Sequence, residues 1–169
     1  MRDPQTNSYY PIILCGDFNA YPQSPLIQFL LTGHIKYDTY RCVDISGQLL
    51  NFNGFSYPLP SHELLPRSFV TSDCRLPNRI HINQHTSSIL THNKQFNSVY
   101  DLNNSSDVST TANNEPKLVD YIFYTSDRLN VLTRLELYKQ NQMDDIHMPN
   151  HQFASDHFSL VVKFALKLR

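Results

Sequence analysis

The hydrophobic positions near the start of the chain predict one strand, loop and helix unit. Pro11–Cys15 is a continuous apolar run closed by Gly16, a pattern typical of a strand that is buried on both faces. Ser24 followed by Pro25 indicates a helix start, because serine caps helices and proline is favoured at their first position. An apolar stripe at i, i+3 and i+4 then continues to Gly33. The stripe residues are Leu26, Phe29 and Leu30.

Alternation of apolar and polar positions returns in the second half of the chain. Leu118–Tyr124 predicts a strand in which Asp120 places a carboxylate within an apolar run. Further strands are expected over Asn130–Tyr138 and over Phe158–Leu166, the latter starting directly from His157.

The stretches between these elements are irregular. Residues 49–91 contain scattered prolines, asparagines and serines, and loops of that length are usually functional or disordered. Phe96–Leu102 predicts a short packed segment, whereas residues 103–115 are mostly polar, and Asn103–Asn114 in particular predicts a flexible insert. Residues 66–99 are locally basic, which we interpret as a solvated loop, with a phosphate-binding surface as the alternative. The charged residues of that stretch are Arg67, Arg75, Arg79, Lys94 and Asp73.

Composition and charge limit the class of protein but do not indicate a binding partner. The 169 residues suit one domain, and a formal net charge of -1 provides no global field to attract nucleic acid. Cys15, Cys42 and Cys74 form no CxxC pair and are expected to be reduced thiols, with Cys15 buried in the first strand. Met1–Tyr10 lacks a leader pattern, and no apolar run is long enough for a membrane helix. We therefore expect an intracellular protein, cytoplasmic or nuclear, without a membrane partner.

Three short polar motifs at strand boundaries carry the candidate chemistry: Gly16–Asn19, Val119–Tyr124 and Ser155–His157. Phosphodiester hydrolysis needs an activated water and positive charge near the developing oxyanions, and a hard cation such as Mg²⁺ held by oxygen ligands meets much of that need. Each motif alone is ordinary turn chemistry, but three in this order favour a functional site. The candidate catalytic residues are Asp17, Asn19, Asp120 and His157, and the candidate metal ligands are Asp17 and Asp156.

Each of these residue types suits a distinct role. Asp17 is expected to hold a metal-bound or attacking water, and Asn19 to donate a hydrogen bond to a phosphate oxygen. Asp120 is expected to bind one ring nitrogen of His157, which fixes the tautomer and raises the pKa of the imidazole. His157 then transfers a proton or stabilises charge. Asp156 is directed differently by strand alternation and is expected to reach the metal.

Other histidines offer weaker alternatives. His81 and His85 are four residues apart, but they lack the paired acid and the convincing helix of a metal site, so a polar loop is preferred. His147 and His151 lie near Asp144 and Asp145, although Pro149 interrupts any helical spacing, so we interpret both histidines as rim residues. The abundant Tyr and Phe residues could stack on bases, but core packing explains most of them.

The motifs resemble those of the endonuclease/exonuclease/phosphatase superfamily, and within it the Angel branch related to Ccr4-type deadenylases and nocturnin. The segments that carry the resemblance are Pro11–Asn19, Pro22–Gly33, Ser46–Gln48, Val119–Tyr124, Met148–Asn150 and Ser155–His157. The resemblance implies an α/β fold, a two-sheet sandwich flanked by helices, and Mg²⁺-dependent cleavage at RNA phosphoesters, with Mn²⁺ as an alternative cation. It implies that Asp17 and Asn19 are catalytic and that Asp120 pairs with the catalytic histidine. It also matches Asp156 and His157 to the closing pair of the family.

The leading hypothesis from the sequence is a metal-dependent 3′–5′ exoribonuclease, deadenylase-like, acting on an RNA 3′ end. One alternative is a phosphatase for terminal or 2′,3′-cyclic phosphates of RNA, and no residue separates the two. Family members also carry an earlier half, with an Asn and a metal-binding Glu that have no counterpart before Asp17. We therefore expect residues 1–169 to be the C-terminal part of the domain, with little nuclease activity alone. A third possibility is a non-catalytic remnant that acts by binding.

Overall fold

The computed structural model describes residues 9–41, 44–45, 64, 88–103, 108–112, 117–143, 146 and 148–167. Within them lie the helix α1, Pro25–Thr32, and nine strands. The strands are β1 Ile13–Asp17, β2 His34–Lys36, β3 Ile89–Thr91, β4 Phe96–Ser98, β5 Val108–Ser109, β6 Asp120–Thr125, β7 Leu129–Arg134, β8 Tyr138–Lys139 and β9 Val162–Leu166. No helix in this part of the chain is long and apolar enough to cross a membrane.

The central sheet is antiparallel and has the strand order β1-β6-β4. Along β6, Tyr121 and Phe123 point to one face and are buried, and Ile122 is buried on the other, which confirms the predicted alternation. The first residue of β6, Asp120, lies opposite Asp17, the last residue of β1. The sheet therefore presents two carboxylates at one edge.

The helix α1 covers one face of this sheet. Ser24 caps it by accepting a hydrogen bond from the Ile27 amide at 3.4 Å, and Gly33 ends it with a left-handed φ of 79°. Both helix boundaries match the sequence prediction. Ile27 is fully buried and packs in one cluster with Phe123, while the predicted stripe residues are only partly buried.

A second sheet, formed by the antiparallel pair β7 and β9, covers the other face. Val131 of β7 and Val162 and Phe164 of β9 pack against Ile122 of β6 and Val99, the residue after β4. Burial of apolar side chains between the sheets gives the layered arrangement its stability. The predicted α/β fold with two packed sheets is therefore present, and of the expected flanking helices the described residues include one, α1.

The first strand is less buried than its apolar sequence predicts. Cys15 was expected to be buried, and it is exposed. Ile13 is 49% exposed on the same face of β1. The reason is position: among the described residues β1 is an edge strand, and the cluster that the β7–β9 pair forms over Ile122 of β6 does not include Cys15 or Ile13. The prediction of burial on both faces is therefore wrong.

The predicted flexible insert Asn103–Asn114 is also wrong in its central part. Val108–Ser109 is the strand β5, which pairs with β8, and the following Thr110–Ala112 is buried. The threonine hydroxyls and amides of this segment bond to the main chain at Lys117 instead of to water. A polar sequence is therefore packed here because its hydrogen bonds are made internally.

Two strand boundaries also differ from the prediction. The expected strand Asn130–Tyr138 divides into β7 and β8, and the ladder of β7 with β9 is irregular between Val131 and Thr133. The strand expected from Phe158 begins only at Val162. His157 instead makes an isolated bridge with Thr111.

The basic segment is described only at its end. There His92 places Nε2 2.9 Å from the carbonyl oxygen of Phe29 in α1, and Lys94 lies over the ring of Tyr9. The predicted packed segment Phe96–Leu102 is confirmed, with Val99 and Tyr100 buried at its centre. Several predictions concern residues outside the described part of the chain. These residues are Cys42, Ser46–Gln48, Arg67, Asp73, Cys74, Arg75, Arg79, His81, His85, Asp144, Asp145 and His147.

Candidate active site

Asp17 and Asp120 face each other at the edge of the central sheet. The amide of Phe18 donates to the carbonyl of Val119 at 2.9 Å, so the neighbouring Asp17–Asp120 pair falls between hydrogen-bonded positions of the ladder. Side chains at such positions lie especially close together. Like charges directly opposite each other destabilise a sheet unless positive charge compensates them. This pair is therefore a place where a cation is favoured.

The loop after β1 is organised around the Asp17 carboxylate. The backbone amide of Asn19 donates to Asp17 Oδ1 at 2.8 Å, and its side-chain Nδ2 donates to Oδ2 at 3.0 Å. Asn19 has a φ of 47°, a left-handed conformation that asparagine tolerates better than most residues. The structure therefore joins the two residues that the motif predicted to act together.

Aromatic side chains pack this loop against the core. The ring of Phe18 meets the ring of Tyr121 edge-on, with centroids 5.7 Å apart. The Tyr121 hydroxyl is buried and donates to the carbonyl of Ala20, 2.6 Å away. Burial also raises the pKa of this phenol above its ordinary value, because it disfavours the phenolate. The loop that carries Asp17 is thus bound to the core at its far end.

His157 approaches Asp120 from a segment 37 positions later in the sequence, and its Nδ1 lies 2.8 Å from Asp120 Oδ2. This is the pairing that the sequence predicted. Burial is the largest single influence and lowers the pKa of His157, but the hydrogen bond to Asp120 and the charges of Asp120, Asp156 and Asp17 together outweigh it. The pKa is therefore raised, and the imidazolium form is favoured.

Asp17, Asp120 and His157 form the one group of potential metal ligands found among the described residues, with one ligand atom from each lying within 4.8 Å of the others. The donor set fits a hard divalent cation, because Mg²⁺ is typically held by one or two carboxylates with the remaining positions filled by water and phosphate. Asp17 and Asp120 are the residues that would hold it, since the Nδ1 atom of His157 already binds Asp120.

Asp156, the other predicted metal ligand, is not in this group. Its backbone carbonyl accepts a hydrogen bond from the Ala112 amide at 2.9 Å, and its charge acts on His157. Metal binding by Asp156 stays a prediction. His151, which the sequence indicated as a rim residue, is exposed.

The Ser109–Ala112 segment contacts both the Asp120 and the His157 segments, which its sequence did not predict. Thr110 bonds to the start of β6, and Thr111 makes the bridge to His157. The available signal was the pair of β-branched threonines, which are favoured in strands, within the polar run.

The family model of the endonuclease/exonuclease/phosphatase family matches residues 3–157. The chain therefore belongs to this family, as the resemblance of its three motifs implied.

Similarity within the family points to the Angel and nocturnin branch. Human protein angel homolog 2 is 26% identical over 203 residues, an alignment that covers 95% of this chain and 37% of the human protein. Nocturnin of Drosophila melanogaster is 44% identical over 48 residues, covering 28% of this chain and 8% of nocturnin.

A solved relative shares the fold. The crystal structure of ANGEL2, a 2′,3′-cyclic phosphatase, in complex with adenosine-2′,3′-vanadate superposes with a TM-score of 0.69 and 32% sequence identity. The match covers 96% of this chain and 46% of the ANGEL2 chain. The chain thus spans less than half the length of these relatives.

Proposed function

We propose that this chain supplies part of the active site of a divalent-metal-dependent phosphoesterase that removes 2′,3′-cyclic phosphates from RNA 3′ ends. The observation that carries the proposal is the close group of Asp17, Asp120 and His157. The substrate class is supported by the similarity to ANGEL2, which is a 2′,3′-cyclic phosphatase. The sequence alone favoured an exoribonuclease, with the cyclic phosphatase as the alternative, and the similarity to ANGEL2 reverses that order.

The reaction consumes one water for each P–O bond that is broken. The first hydrolysis opens the cyclic diester to a monoester, and the second releases inorganic phosphate and leaves a 2′,3′-diol. A bound Mg²⁺ or Mn²⁺ ion would stabilise the negative charge that develops on the phosphate oxygens.

The side chains of this chain would act on the phosphate from two directions. The Nδ1 atom of His157 is held by Asp120, which leaves Nε2 as the ring nitrogen that donates a proton to a phosphate oxygen or stabilises its charge. Asn19 has two side-chain N–H groups and uses one on Asp17, so the other can donate to the phosphate. Asp17 would orient the attacking water as well as the cation.

The sequence's leading hypothesis, a 3′–5′ exoribonuclease, remains the second candidate function. Asp17, Asn19 and His157 would bind a phosphate and stabilise its charge, and a linear phosphodiester also presents a charged phosphate. This second candidate is supported by the resemblance of the motifs to the branch that includes Ccr4-type deadenylases and nocturnin, and nocturnin is among the matched relatives.

The test compares two RNA oligonucleotides of one sequence that end in a 2′,3′-cyclic phosphate or in a plain 3′-hydroxyl after an oligo(A) tail. Mapping the 5′ end of the native transcript defines the protein to be assayed, with Mg²⁺ or Mn²⁺ present. The proposal expects conversion of the cyclic end without shortening of either RNA. Shortening of the plain RNA would favour the exonuclease instead.

A matched pair of variants assigns any activity to this site. His157→Ala should abolish conversion, while Asp127→Asn should not change it, because Asp127 is an exposed carboxylate in the turn after β6. If neither RNA reacts with the native protein, or if the cyclic end reacts equally well in His157→Ala, the proposal is wrong.

A further inference from the structure

The hydroxyl of Thr110 is fully buried and uses all of its hydrogen-bonding capacity. Its Oγ1 accepts from the backbone amides of Val119 at 3.1 Å and Asp120 at 3.2 Å, and it donates to the carbonyl of Lys117 at 3.2 Å. A hydroxyl offers one donor and two acceptor sites, so none is left over. Thr110 is 0% exposed, so water cannot replace these bonds. The side chain therefore fixes the backbone where the Asp120 carboxylate begins.

The main chain of the same residue binds the segment of the histidine. The carbonyl of Thr110 accepts from the amide of Phe158 at 2.8 Å. The next residue, Thr111, forms an antiparallel bridge with His157. One short segment therefore contacts both partners of the Asp120–His157 hydrogen bond, through a side chain on one side and the backbone on the other.

We propose that Thr110 is a positioning residue, whose hydroxyl holds the Asp120 carboxylate at the place where it meets Nδ1 of His157. The placement rests on contacts alone, and its consequence for catalysis rests on the proposed function. Thr110 touches no reacting atom. It acts through Asp120, because the direction of a side chain follows from the backbone that carries it.

The neighbouring threonine provides a matched control. Thr111 is 3% exposed, and among the described residues its hydroxyl bonds to the backbone of Lys117, accepting from the amide at 2.9 Å and donating to the carbonyl at 3.3 Å. Thr110→Val and Thr111→Val each remove one buried hydroxyl of equal size from the same segment. Only the first removes acceptors from Val119 and Asp120. Thr110→Ser keeps the hydroxyl and serves as the rescue variant.

The first readout is the ring proton between His157 Nδ1 and Asp120, observed by proton NMR on the folded chain. We expect Thr110→Val to broaden this signal or to speed its exchange with solvent at least about tenfold. This is the size expected when the buried amides of Val119 and Asp120 lose the hydroxyl that accepts from them. Thr110→Ser and Thr111→Val should retain it. An unchanged signal in Thr110→Val, or an equal change in Thr111→Val, would overturn the proposal.

The second readout is kinetic and uses the native protein with the cyclic-phosphate RNA. We expect Thr110→Val to reduce kcat by about 10- to 100-fold with little change in KM, because misplacement of catalytic groups affects the chemical step. Thr110→Ser should restore the rate. If the native protein has no activity, the proposed function fails, while the ring-proton result still decides the role of Thr110.

A measurement on the unsubstituted chain covers the case in which Thr110→Val does not fold. The amides of Val119 and Asp120 should be protected from hydrogen exchange because they donate to a buried hydroxyl. Exchange of both amides at the rate of exposed loop amides would contradict the hydrogen bonds on which the proposal rests.

Discussion

Replacing Asp120 with asparagine tests the electrostatic coupling between the carboxylate and His157. The side-chain amide of the variant would still present a carbonyl oxygen to Nδ1, which Asp120 Oδ2 contacts at 2.8 Å. The hydrogen bond is therefore retained, and the negative charge is removed. Because that charge favours the imidazolium, Asp120→Asn should lower the pKa of His157.

The size of the change follows from the two kinds of hydrogen bond. A bond to a charged partner contributes about 1.5–3 kcal/mol, and a neutral one about 0.5–1.5 kcal/mol. The His157 side chain is 32% exposed, so solvent screening favours the lower end of the difference. The lower ends of the two ranges differ by about 1 kcal/mol, which is the contribution to the imidazolium form that we expect Asp120→Asn to lose.

The assay is an NMR titration of the His157 ring protons in the wild type and in Asp120→Asn. Asp127→Asn is the control, because Asp127 is exposed and is not among the carboxylates that act on His157. An unchanged or higher pKa in Asp120→Asn, or an equal fall in Asp127→Asn, would refute the reasoning.

The same coupling makes stability depend on pH in a defined direction. Because the folded-state pKa of His157 lies above its ordinary value of 6.5, its contribution to stability is complete below about pH 6.5 and is lost as pH rises through the folded-state pKa. The difference in unfolding free energy between wild type and Asp120→Asn that arises from this pair should shrink over the same range. Urea denaturation at several pH values measures it.

Three further predictions concern the site and its support. Mg²⁺ or Mn²⁺ at roughly ten times its Kd should stabilise the chain by about 1.4 kcal/mol, measured by thermal denaturation. Asp17→Asn should weaken this stabilisation, and Asp127→Asn should preserve it. Tyr121→Phe should cost about 1–2 kcal/mol in urea denaturation, because the buried carbonyl that the hydroxyl binds at 2.6 Å loses its donor; no loss would contradict that bond. Gly33→Ala should cost at least about 2 kcal/mol, since φ is 79° and a Cβ would lie 2.7 Å from the His92 oxygen; a neutral substitution would show that the turn relaxes.

The parts of the fold that the sequence predicted well are those fixed by local chemistry. Ser24, Pro25 and Gly33 set the helix boundaries because capping and left-handed ends depend on a few adjacent residues. The alternation within β6 was equally local. Asp120 and His157 were paired correctly because a carboxylate within an apolar strand needs a partner.

The errors arose where burial depends on distant contacts. Cys15 lies in an apolar run but is exposed, because burial of a strand face depends on the elements that pack over it, and the cluster around Ile122 does not include Cys15. Thr110 is polar but fully buried, because Lys117, Val119 and Asp120 supply partners that no local pattern reveals. Composition alone therefore assigned both residues to the wrong environment.

The charge balance of the site depends both on the register of neighbouring strands and on a contact from a distant segment. The ladder places Asp17 opposite Asp120, and two facing carboxylates require positive charge nearby. His157 supplies part of that charge through Nδ1, and the raised pKa shows the influence of the carboxylates around it. A cation held by Asp17 and Asp120 would compete electrostatically with the protonated imidazole, so its affinity must weaken as His157 gains a proton, and the pKa of His157 must fall as the cation binds. Under the proposed function, metal binding at this pair would therefore be linked to the proton that the reaction needs.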